Sequence, residues 1–218
     1  MSRSRSPLGL LGGTFDPIHL GHLRPAIELL ETVGLAEVRL LPGRVPPHRD
    51  PPTASAAMRS AMVRAAVTDV PGLSLDEREL ERDGPSFTLD TLISVRREVG
   101  AEQSLCWIVG MDSFVTLPQW HRWREMAEYA HFLVAHRPGH EPPPGGELAE
   151  WLAGRGASAS ELRWRPAGLV HFVGTTSLDI SSTDVRRRLA LGRSARFMVP
   201  DAVWRLIAEN GVYGYRQV

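Results

Sequence analysis

Lysine is absent from this sequence: all 25 of its basic side chains are arginine. Any cation that holds a phosphate group here is therefore a planar guanidinium fork rather than a compact ammonium. Cysteine is nearly absent. The one thiol, Cys106, lies in the apolar run Leu105-Cys106-Trp107-Ile108-Val109. No disulfide can close within the chain, which points to a reducing compartment, and a thiol inside an apolar strand reads as an inert small hydrophobe. Net charge is absent as well, because 25 acidic residues balance the basic ones. A general nucleic-acid binder would show a basic excess. No apolar run approaches the ~18 residues of a membrane span. Glycines interrupt the leucine-rich stretch after Pro7, where a secretory signal needs about 7–15 unbroken apolar residues. The expectation is a soluble cytoplasmic protein with neither nucleic acid nor membrane as partner.

What is present suits one domain spanning residues 1–218, with 43% of the residues apolar. A single domain accommodates up to roughly 250 residues, and one of this size buries about 70% of its unfolded surface without a disulfide or metal staple. Leu8 to Leu11 is a short apolar run ending at Gly12-Gly13, which reads as a buried strand meeting a turn. Leu23, Ile27 and Leu30 recur at helical spacing, so Gly21 to Val33 is a helix with Gly34 as its stop. Glu37 to Leu41 is the next strand, closing a βαβ unit. The pattern continues with a helix over 55–68, a short strand at 73–75, a helix over 88–99, and strands at 104–109, 131–135 and 169–173. Helices over 182–191 and 201–209 follow. This alternation predicts an α/β doubly wound, mostly parallel sheet with a small C-terminal helical part, whose ligands bind beyond the carboxyl ends of the strands. Arg137 to Glu147 contains three consecutive prolines and is expected to be an exposed connector.

The first chemical site is Gly12-Gly13-Thr14-Phe15-Asp16-Pro17-Ile18-His19-Leu20-Gly21-His22, between strand and helix. Glycines allow close backbone approach, and the helix N-terminus presents unpaired N–H groups at a positive dipole end. His19 and His22 lie three apart and share a face on a helical first turn. Two imidazoles with backbone amides suit a polyphosphate. A zinc site would want a third ligand, and no Cys or Glu cluster stands beside them; a purely structural pair is the other alternative.

That segment resembles the HxGH signature of the nucleotidyltransferase superfamily, and later segments are similar to bacterial nicotinate-nucleotide adenylyltransferases. Pro46-Pro47-His48-Arg49 resembles that family's Pro-Pro-His-Lys loop, and Glu81 to Thr91 its Glu-Arg-x-Gly-x-Ser-Tyr-Thr-x-Asp-Thr segment. Gly110-Met111-Asp112, Leu117-Pro118-Gln119-Trp120 and Ile180-Ser181-Ser182-Thr183-Asp184-Val185-Arg186 match its later elements in order. The resemblance implies a Rossmann-like nucleotidyltransferase fold. It also implies transfer of the adenylyl group of ATP to nicotinate mononucleotide, releasing pyrophosphate without a covalent enzyme intermediate. The alternatives are another acceptor, such as nicotinamide mononucleotide or phosphopantetheine, or a catalytically silent nucleotide-binding module.

Carried over residue by residue, the resemblance makes His19, His22 and Arg186 catalytic. It assigns Gly12, Gly13, Thr14, Phe15, His19, His22, Gly110, Asp112, Ile180, Ser182, Thr183 and Arg186 to ATP. Ser182 and Thr183 open a helix and form a natural phosphate seat, or a simple cap. His48, Arg49, Ser86, Phe87, Thr88, Trp120 and Arg137 are assigned to nicotinate mononucleotide. Backbone N–H groups at 86–88 would hold the nicotinate carboxylate, and Trp120 would stack on the pyridine ring, its alternative being a place in the core. Arg49 for the family's Lys, Phe87 for its Tyr and a long segment over 139–165 are departures. Mg2+ is expected to arrive with ATP, with no protein cage of its own. The protein would act as a monomer or a homodimer.

Overall fold

The structure is a computed structural model describing residues 6–44, 51–84, 86–136 and 145–215. His48, Arg49 and Arg137 lie outside the described residues. In chain order the elements are β1 (Leu8–Gly13), α1 (Leu20–Leu29), β2 (Glu37–Pro42), α2 (Ala56–Val67), β3 (Leu73–Leu75), α3 (Arg78–Glu81) and α4 (Thr88–Val99). They continue with β4 (Leu105–Gly110), α5 (Met111–Val115), α6 (Met126–Tyr129), β5 (His131–His136), α7 (Glu147–Leu152), β6 (Val170–Gly174), α8 (Ser182–Ala190) and α9 (Asp201–Glu209). Among the described residues, no helix is long and apolar enough to cross a membrane.

The strands form one sheet in the order β3-β2-β1-β4-β5-β6. β1 runs parallel to β4 with Leu10 opposite Trp107, β4 to β5 with Ile108 opposite Leu133, and β5 to β6 with Val134 opposite Phe172. Leu105 to Val109 and Phe132 to Val134 are buried without interruption, as expected of strands covered on both faces. The order reverses between β1 and β4. In a doubly wound sheet that reversal is where ligands bind, beyond the carboxyl ends of the strands. Helices α8 and α9 supply the C-terminal helical part.

The chain divides into two compact units, each drawn from three segments. The first comprises residues 1–12, 28–39 and 87–176. Its core is aromatic: Trp151 of α7 meets Trp123 at 5.3 Å and Phe132 at 5.6 Å between ring centroids. The described part of the long segment, residues 145–165, contains α7, which exists because Leu148 and Trp151 find this core. The second unit comprises residues 13–27, 40–86 and 177–218. There α9 packs on α2, and the turn Val212–Gly214 packs on α8 and α9.

Two local features depart from regular expectation. The last turn after α1, Leu30–Gly34, is π-helical rather than α-helical, with the Leu35 N–H donating to the Leu30 carbonyl at 3.0 Å. Gly34 takes φ 69°, and the Arg163 guanidinium occupies the space a side chain there would need. At α8 the capping oxygen belongs to Ser181, whose hydroxyl accepts from the Asp184 N–H at 3.1 Å.

Candidate active site

β1 delivers the chain into a turn whose shape is set by aromatic rings. A Cβ on Gly12 would lie 2.6 Å from the far edge of the Trp107 ring, and one on Gly13 would lie 2.8 Å from the Phe15 ring. Phe15 itself sits at φ 48°, a left-handed conformation that a bulky residue rarely adopts. Its ring is 1% exposed and meets the His22 ring edge-on at 5.1 Å, so packing holds the unfavourable backbone in place. The Asp16–Pro17 peptide is cis.

The imidazoles of His19 and His22 stack, with centroids 3.7 Å apart and planes 25° from parallel. His19 is buried and His22 half-buried as a residue, its ring lying deep among protein atoms. Burial lowers the His19 pKa to about 4. Burial first, and the neighbouring His19 second, lower that of His22 to about 3. Both rings are therefore neutral at pH 7. The Nδ1 atoms of both are buried without a hydrogen-bond partner among the described residues. Gly21 leaves room here too, since a Cβ would crowd the His19 ring and the Ile180 carbonyl at 3.0 Å each.

Asp16, in the same turn, is buried and heavily bonded. Its carboxylate accepts from the Thr53 N–H at 2.7 Å, the Ala54 N–H at 3.0 Å and the Tyr213 hydroxyl at 2.8 Å. Arg186 donates to the Asp16 carbonyl at 2.7 Å and stands 3.8 Å from its carboxylate. The Ser182 hydroxyl donates to the Pro17 carbonyl at 2.9 Å. Arg59, 1% exposed, donates to the carbonyls of Thr14, Gly43 and Arg44 at 2.8, 2.6 and 3.0 Å. The turn is thereby tied by side chains to α2, to the end of β2, to α8 and to the C-terminal turn.

In the other unit, Asp112 opens α5 directly after β4, and its exposed carboxylate folds over Gly110, where a Cβ would meet it at 2.6 Å. Phe87 is the N-cap of α4 and makes no side-chain capping bond itself. The Phe87 ring lies 4.4 Å from that of the exposed His121. Trp120 is partly exposed, whereas Trp123 is 6% exposed and belongs to the aromatic core.

The family described as cytidylyltransferase-like matches residues 10–188. A protein of Halorhodospira halophila named "Probable nicotinate-nucleotide adenylyltransferase" is 52% identical over 98% of this chain and 100% of its own length. One of the same name from Pseudomonas putida is 52% identical over 94% of each chain. The chain belongs to the nicotinate-nucleotide adenylyltransferase family. A Plasmodium falciparum nicotinic acid mononucleotide adenylyltransferase complexed with NaAD shares the fold, with TM-score 0.72 at 15% identity over 97% of this chain and 99% of that one.

Within this family member, the second unit contains nine of the residues expected to be catalytic or to bind ATP: Gly13, Thr14, Phe15, His19, His22, Ile180, Ser182, Thr183 and Arg186. Gly12, Gly110, Asp112, Phe87, Thr88 and Trp120 belong to the first unit. Ser86 is the exception among the acceptor residues: it falls in the second unit, its hydroxyl donating to the Glu79 carbonyl at 3.3 Å. One expectation is corrected: the cap of α8 is Ser181, and the Ser182 hydroxyl donates instead to the Pro17 carbonyl. Gly12 and Gly13 also serve packing, since a Cβ at either would overlap the Trp107 or Phe15 ring. Asp16, Arg59, Tyr213 and His121 were not expected. For Asp16 a signal existed, since a carboxylate in an otherwise apolar Phe15-Asp16-Pro17-Ile18 run must find buried donors.

Proposed function

We propose that the protein transfers the adenylyl group of ATP to nicotinate mononucleotide, giving nicotinate adenine dinucleotide and pyrophosphate. The stacked, neutral His19–His22 pair beside Arg186-anchored backbone is the observation that carries this reading. The mononucleotide's 5′-phosphate oxygen is already an anion at neutral pH, so it attacks the α-phosphorus directly and the P–O bond to pyrophosphate breaks in line. No protein nucleophile is needed. Catalysis then consists of alignment and of donors aimed at charge that grows on the transferring phosphoryl group.

Neutral imidazoles suit that task. Two stacked imidazolium ions would repel, whereas two neutral rings each keep one N–H to donate. His22 serves the α-phosphoryl oxygens in the transition state, and His19 a neighbouring phosphate. Formal positive charge comes from Arg186, and the amides of the turn and of α8 at Ser182 and Thr183 add further donors. Ile180 and the backbone at Gly12 and Gly13 line the nucleotide, and Asp112 accepts from a ribose hydroxyl. Trp120 stacks on the pyridine, and the start of α4 at Phe87 and Thr88, with Ser86, receives the nicotinate carboxylate. His48, Arg49 and Arg137 complete the acceptor side.

Mg2+ would be carried by ATP, and its chemistry there would be to offset phosphate charge. Steady-state pyrophosphate release with the acid and amide mononucleotides tests the reading. The acid is expected to be preferred, and an equal or greater preference for the amide would refute it.

A further inference from the structure

The hydrogen bonds around Asp16 join parts of the chain that the reaction must hold in register. Its carboxylate and carbonyl together meet four donors from three places: Thr53 and Ala54, Arg186 on α8, and Tyr213 near the C-terminus. Tyr213 lies 197 positions from Asp16 in sequence. It is buried at 7% exposure and held at φ 61°. Asp16 stands between Phe15, whose ring packs on His22, and Pro17, whose carbonyl takes the Ser182 hydroxyl. A shift of its carboxylate would therefore move the phosphate turn and Arg186 together. We propose that Asp16 and Tyr213 are positioning residues that set Arg186 and the histidine turn for phosphoryl transfer, acting through Arg186 rather than touching substrate.

This rests on the adenylyl-transfer reading for its rate measurements, but its geometry requires only that Arg186 meets a phosphate. Asp16→Asn is a demanding test because its amide cannot serve all the partners. One carboxylate oxygen takes Ala54 and Tyr213, while the other takes Thr53 and faces Arg186. Either orientation of the amide puts N–H against N–H. Tyr213→Phe is the gentler variant, deleting one donor without changing the ring.

The experiment is a double-mutant cycle of each variant with Arg186→Ala, read in kcat and in ATP affinity by calorimetry, with Tm measured alongside. Asp16→Asn is expected to lower kcat by roughly 10²-fold, as misplacement by an ångström can. Tyr213→Phe is expected to lower it about 3- to 10-fold, the worth of one net hydrogen bond. On the Arg186→Ala background both effects should shrink to within about twofold, since coupled residues are not additive. Fully multiplicative losses would overturn the proposal. So would a Tyr213→Phe protein with lowered Tm but wild-type kcat and ATP affinity. Should the wild type release no pyrophosphate, the reaction reading fails alone, and the same cycle in ATP affinity decides the coupling.

Discussion

His19 and His22 lie face to face, 3.7 Å between ring centroids, and neither Nδ1 has a hydrogen-bond partner among the described residues. Two polar rings pressed together and away from water resist charging, which is why their pKa values fall to about 4 and about 3. Their arrangement suits a site that admits an anion to an environment of neutral donors, where each hydrogen bond is stronger than in water.

That depression makes a pH prediction with a definite sign. Unfolded histidine titrates near 6.5, so between about pH 6.5 and pH 4 the unfolded chain binds protons that the folded rings refuse. Their contribution to stability is thus full above 6.5 and declines as pH falls through that window. Thermal unfolding followed from pH 7.5 to pH 4.5 should show a lower Tm at the acid end that is smaller in the His19→Ala variant. NMR titration should find both imidazoles still neutral at pH 6, and ATP should raise their pKa values. Ordinary values near 6.5 in the free protein would contradict the burial argument.

Gly12→Ala should destabilise by about 1–3 kcal/mol, because the new methyl overlaps the Trp107 ring. The overlapping atoms belong to the six-membered ring of the indole, which Trp107→Phe withdraws. The double variant should therefore lose less stability than the sum of the two single changes in chemical denaturation. A strictly additive result would place the glycine requirement elsewhere.

Trp120 and Trp123 should separate by readout. Trp120→Ala is expected to raise the KM for nicotinate mononucleotide about 3- to 10-fold, an aromatic contact's worth, with Tm nearly unchanged. Trp123→Ala empties part of the core and should cost about 3–5 kcal/mol of stability. If Trp120→Ala leaves the acceptor KM untouched, the indole has no substrate role.

Strands and long helices were legible because Leu8–Leu11, Leu105–Val109 and Leu89/Leu92/Val95 carry their periodicity in adjacent residues. The histidine turn was legible for the same reason: His19 and His22 are three apart and meet through one helical turn. The Asp16 network was not, since Tyr213 and Arg186 reach it from 197 and 170 positions away. The helix α7 was hidden by the prolines before it, its face being defined by a partner, Trp123, that only the fold supplies. Trp120 and Trp123 are indistinguishable by composition, and the turns between them decide which one is buried.

The most direct test is the rate of a single turnover in His22→Ala, measured beside its ATP affinity. A donor aimed at the transition state predicts a rate lower by roughly 10²–10³-fold with ATP binding little changed. A variant that turns over at the wild-type rate, or loses ATP affinity in proportion to rate, would contradict that assignment.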